Sequence, residues 1–149
     1  MNKLDSKPLP TSFKISSTPQ PESACRLIVL FPASEADPPN LSHQIWEIAR
    51  SRNLNVLLLS LSKDYREEAQ LRRKLITLAA IIKDSNVSTE IAIEYGKDWV
   101  KQVRKIWRTG DVLACYAGQK VGFMRKPLEQ VLKSHLDAPI FLLADMKPS

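Results

Sequence analysis

Apolar residues along this chain fall into two kinds of run that alternate. The first kind is continuous. RLIVLF (residues 26–31) and NVLLLSL (55–61) are apolar almost from end to end, the pattern of strands buried on both faces, and DVLACYAG (111–118) and PIFLLA (139–144) read the same way. The second kind recurs every three or four residues. Asn40 is placed to cap a helix over 41–51 whose Leu41, Ile45, Ile48 and Ala49 share one face. Asp64-Tyr65-Arg66-Glu67 has the form of a capping box, and Leu71, Leu75, Leu78 and Ile82 behind it predict the longest helix, to about residue 84. Asp98 caps a third helix with the stripe Trp99, Val103, Ile106 and Trp107, which Gly110 ends, and LEQVLKSHLD after Pro127 predicts a fourth.

One segment follows neither rule. STEIAIEY (88–95) sets Thr89, Ile91, Ile93 and Tyr95 against Ser88, Glu90, Ala92 and Glu94, and this alternation predicts an edge strand. Five strands thus alternate with four helices through short connections. The order predicts an α/β domain over 25–146: one parallel sheet with helices on both faces and right-handed crossovers. There is no internal repeat.

Residues 1–24 break the pattern. Pro8, Pro10, Pro19 and Pro21 among Ser and Thr residues predict a disordered tail, either a solvated extension or a short docking or linking segment. Of 149 residues, 44% are hydrophobic and 26% charged, the composition of a soluble globular domain. No apolar run approaches the ~18 residues needed to cross a bilayer. The region after Met1 lacks the apolar segment of a secretory signal, so the expected location is the cytoplasm. Cys25 and Cys115 lie at the start of and within predicted strands and are expected to be buried, unpaired thiols. His43 and His135 have no ligand partners at metal spacing, and no metal site is expected.

Three stretches carry a family resemblance: LIVLF-PASE; YGKDWVKQVRKIW followed by GDVLACYAG; and LEQVLKSHLDAPIFLL. In this order the chain resembles the universal stress protein family over residues 26–144, as a divergent member. The resemblance implies a sheet of the adenine nucleotide alpha hydrolase type, with strand order 3-2-1-4-5 and a ligand crevice between the ends of the first and fourth strands. Nucleotide-binding members of the family follow the fourth strand with G-x2-G-x9-G-[ST], where backbone N–H groups approach the phosphates. The corresponding loop here is AGQKVGFMRKPLEQ. Gly118 and Gly122 are three residues apart, the final pair falls on Arg125-Lys126, and Pro127 removes a donor from the first helical turn. After the first strand, Pro32 and Ala33 replace the family's acid and glycine, and only Ser34 and Glu35 remain. ATP or AMP binding is therefore disfavoured and no cofactor is expected. Should a ligand bind, the candidates are Ser34, Gly118, Lys120, Gly122, Arg125 and Lys126, the three cations gripping phosphate by charge.

Charge adds a second candidate surface. The chain's net charge is +6, and the segment from Lys97 to Lys133 alone carries that excess. On the third helix Lys101, Arg104, Lys105 and Arg108 lie opposite the apolar stripe, either as an ordinary solvated face or as a docking stripe for nucleic acid, an anionic membrane surface, an acidic partner or a membrane transporter. Both tryptophans of that helix belong to the inward stripe, which disfavours nucleic acid; a membrane is expected to be met only indirectly. No nucleophile elbow, Cys/His pair or intact Walker loop occurs, and Phe31-Pro32 stands where a phosphoryl-receiver domain needs acids, so no enzyme activity is expected. The leading expectation is a stress-associated regulatory or interaction module that pairs with a second copy through its last strand, Ile140, Phe141, Leu142 and Leu143, and meets a protein partner the sequence does not specify.

Overall fold

The structure, a computed structural model, describes residues 13–15, 25–32, 39–82, 87–122 and 124–143. In chain order the elements are β1 (Phe13–Ile15), β2 (Arg26–Leu30), α1 (Pro39–Arg52), β3 (Asn55–Ser62), α2 (Tyr65–Ile82), β4 (Thr89–Tyr95), α3 (Trp99–Ile106), β5 (Val112–Tyr116), β6 (Lys120–Val121), β7 (Lys126–Pro127), α4 (Leu128–His135) and β8 (Ile140–Leu143). The main sheet runs β1-β4-β3-β2-β5-β8. All its pairs are parallel except β1 with β4. Counted among themselves, the five parallel strands follow the order 3-2-1-4-5.

That order distributes the helices. Two crossovers step outward from β2 through β3 to β4, and two step the other way to β5 and β8, so right-handedness puts α1 and α2 on one face and α3 and α4 on the other. Alternate residues of each strand serve the two layers. Leu27, Val29 and Phe31 pack with Leu41, Ile45, Leu71, Leu75 and Leu78, while Ile28 and Leu30 pack with Trp99, Val103, Leu128 and Leu132. Every residue of β2 is buried, as a central strand covered on both sides requires.

Several boundaries differ from expectation. Helix α1 already includes Pro39 and Asn40, so Asn40 is inside the helix and not its cap; proline tolerates a first turn because its missing N–H has no partner there. The capping box at α2 holds: the Asp64 carboxylate accepts from Glu67 N at 2.9 Å, while Glu67 accepts from Lys63 N at 2.8 Å. Asp98 caps α3 through Lys101 N, but α3 ends at Ile106, and Gly110 lies in the following turn. Gly110 has φ +92, and a Cβ there would stand 2.6 Å from Cys25 Sγ. The third correction concerns the tail, expected to be disordered: Phe13–Ile15 form β1, opposite Thr89–Ile91. The remainder of 1–24 lies outside the described residues. β4 is the outermost parallel strand, yet its first half is paired on both sides.

At the amino end of the sheet, a buried ion pair joins β2 to β5. Arg26 Nη2 lies 2.7 Å from Asp111 Oδ2 and donates also to Ile106 O at 2.6 Å. Asp111, 2% exposed, accepts as well from Arg26 N and Arg108 N, so its lone pairs are satisfied in a dry site. The sheet register sets Leu27 beside Val112, which brings the two preceding residues together.

Candidate functional site at the carboxyl end of the sheet

Ligands of open α/β sheets sit beyond the carboxyl ends of the strands where the strand order reverses, here between β2 and β5. On the β2 side both backbone groups of Phe31 are taken. Phe31 N donates to Leu59 O at 2.8 Å, and the buried Ser60 hydroxyl donates to Phe31 O at 2.6 Å. Pro32 follows, half-buried. Ser34 and Glu35 lie outside the described residues.

On the β5 side the glycine-bearing loop forms a hairpin. β6 pairs antiparallel with β7, Lys120 opposite Pro127 and Val121 opposite Lys126. Gly118 (φ +86), Gly122 (φ +78) and Arg125 (φ +56) supply the left-handed backbone that these bends require. The hairpin uses its own amides: Gln119 N donates to Tyr116 O (3.1 Å), Arg125 N to Gly122 O (3.2 Å) and Leu128 N to Gln119 O (2.8 Å). A phosphate cradle would need such donors free. Helix α4 starts from Pro127 with no side-chain cap, and its first amide is already bonded to the hairpin.

The register also separates the cations. Cross-strand partners share a face and neighbours along a strand alternate, so Lys126 shares the face of Val121 while Lys120 takes the opposite one. Arg125 stands at the tip. All three are exposed, and none forms an ion pair with a described residue. Gly118, Lys120, Gly122, Arg125 and Lys126 are thus brought together as one loop, but Lys120 and Lys126 do not converge on a common point. Beside the hairpin, a groove of about 280 Å³ is walled by Trp99, Val100, Val121, Leu128 and Val131, with Lys97 among its lining residues.

The basic residues of α3 are partly engaged. Arg104 donates to His135 O at 3.0 Å, and Lys105 reaches Glu94 at 3.4 Å. Lys101 is exposed on the helix, and Arg108 lies beyond its end. At the far edge, β8 pairs only with β5 among the described strands. Leu142 is 45% exposed there. Close by, Arg52 of α1 covers the Phe141 ring at 4.7 Å, and Trp46 stacks with His43 and lies under Arg50. A concavity of about 480 Å³ opens beside Trp46 and Arg50.

One cluster escaped the sequence reading. Tyr95 at the end of β4 donates its hydroxyl to Glu68, which also pairs with Arg72, and Tyr65 packs edge-on against Tyr95. The hydrogen bond to Glu68 raises the Tyr95 phenol to about 12. Its only sequence signal was a tyrosine at a strand's carboxyl end. The two cysteines are free thiols; burial pushes Cys115 up to about 11. Among the described residues no group of His, Cys, Asp or Glu is arranged to hold a metal, and no helix is long and apolar enough to cross a membrane.

This geometry defines the fold class: a doubly wound five-strand sheet with a loop and helix N-terminus at its switch point, as in universal stress proteins. Solved structures share it. A universal stress protein from Archaeoglobus fulgidus superposes with a TM-score of 0.57 at 13% identity, covering 80% of this chain and 98% of that one. A universal stress protein in complex with cAMP gives 0.55 at 13%, covering 83% and 100%. A macrolide-efflux protein from Streptococcus pneumoniae gives 0.54 at 12%, covering 87% of this chain and 48% of that chain. No protein-family model and no curated protein matches the chain by sequence. The chain has the universal stress protein fold, and at this identity the likeness is one of fold.

Proposed function

We propose that the chain is a non-enzymatic regulatory or interaction module on the universal stress protein fold, cytoplasmic, which does not hold ATP through its glycine loop. One observation carries the reading: the amides at 119, 125 and 128 donate to the loop's own neighbourhood and have none to offer a triphosphate. The module pairs with a second copy through β8. In support, that strand has an edge unpaired among the described strands, with Leu142 exposed on it.

A thermal-shift screen with ATP, ADP, AMP and cyclic AMP tests the first part, since a ligand at a hundred times its dissociation constant adds ~2.7 kcal/mol. A flat screen is expected, and a shift with ATP that Arg125→Ala and Lys126→Ala abolish would overturn it. Sedimentation tests the second: a dimer that Leu142→Glu splits into monomers is expected, and a wild-type monomer would sink the β8 pairing.

A second reading has one observation in its favour, the neighbour solved with cAMP. A cyclic nucleotide carries one phosphate charge and needs no full cradle, so Arg125 and Lys126 suffice to meet it. In the same screen, a shift with cyclic AMP alone selects this reading.

A further inference from the structure

We propose that the β6–β7 hairpin docks directly on an anionic lipid surface. Its chemistry is that of a wedge with a charged collar. Met124, next to Phe123 in sequence, is 72% exposed at the tip, the most exposed aliphatic side chain among the large exposed hydrophobics. Around it stand Lys120, Arg125 and Lys126, and no acidic residue occurs in the chain between Asp111 and Glu129.

The placement that keeps Lys120 and Lys126 from converging on one phosphate suits a bilayer. Lys120 and Lys126 leave opposite faces of the hairpin, so charge surrounds the apolar tip and can meet several headgroups at once. Lys97 and Asp98, at the turn before α3, line the same groove as Val121 and Gly122 and together add no net charge there. The hairpin is held by short strands, and Arg125 N donates to Gly122 O across its turn. The acyl boundary below a headgroup layer accepts a protruding methionine. Each cation near a phosphatidylserine surface strengthens partitioning about fivefold.

Vesicle co-sedimentation of the full chain tests this. Vesicles with about one-third phosphatidylserine should carry the protein down, and pure phosphatidylcholine should not, with binding weakening as salt rises. Met124→Asp should lower partitioning about tenfold, and Lys120→Glu with Lys126→Glu should abolish it. Because these side chains are exposed, all variants should keep the wild-type circular dichroism melt. Failure to sediment with phosphatidylserine, equal sedimentation with both vesicles, or unchanged binding by Met124→Asp would each overturn the proposal. So would displacement by a short oligonucleotide at equimolar concentration, which would assign the surface to nucleic acid.

Discussion

The two ends of the sheet use cations in opposite ways. At the amino end Arg26 is buried against Asp111, 85 residues away in sequence, and four donor contacts converge on that carboxylate, three from Arg26 and one from Arg108 N. At the carboxyl end Lys120, Arg125 and Lys126 are exposed, diverging and without an ion pair to a described residue. A buried charge left alone costs several kcal/mol, so the first arrangement constrains the fold; exposed charges cost almost nothing, so the second leaves a surface free to vary. Cationic side chains thus serve architecture at one end and stay exposed at the other.

The sharpest way to break this contrast is Asp111→Ala. It strands Arg26 in a dry site and should destabilise the protein by about 3–5 kcal/mol in urea titrations. A loss below ~1 kcal/mol would place the pair in the same class as surface contacts.

The layer beneath the hairpin can be probed by pH. Cys115 is raised from 9.0 to about 11 by burial, so the unfolded chain loses this proton first. The stability carried by the neutral thiol is intact below pH 9.0 and falls as pH climbs from there to about 11, by roughly 2–3 kcal/mol in total. Cys115→Ala should flatten that part of the profile. An identical slope in the variant would mean that the layer admits water.

Gly110→Ala tests the packing next to the buried pair. A Cβ there meets Cys25 Sγ and strains a backbone held at φ +92, for an expected loss of about 2 kcal/mol. Cys25→Ala in the same chain should recover the steric share and leave the backbone share, a coupling that a double-mutant cycle reads directly. The smallest effect belongs to the hairpin: Arg125→Gly, at φ +56, should change stability by less than ~1 kcal/mol, because relief of the backbone is offset by a freer unfolded chain.

These differences track what a linear pattern can carry. The strands and helices of the sheet were legible because burial on one or two faces writes itself as runs and periods: RLIVL, NVLLLSL and the Leu71-Leu75-Leu78-Ile82 stripe appear in the structure as read. The hairpin was not, since two-residue strands show no period and Pro127 was assigned to the helix it only precedes. β1 was hidden for a similar reason, three residues inside a proline-rich stretch. Arg26 with Asp111 did leave a signal: one charge opens a buried strand and the other directly precedes a second, and the strands are neighbours in register. Reading it required the sheet order first. Of the candidate site, the loss of an open cradle was visible in Arg125, Lys126 and Pro127, whereas the direction each cation takes depended on a register set only by folding.

The short β1 strand has a consequence for how copies of this protein can accumulate. It occupies the first half of the outer rim of β4, and the other half carries Glu94, held by Lys105. A pair joined through β8, as proposed, would offer at each outer margin only the three-residue β1 and the charged half of β4, too short and too guarded an edge to template a filament.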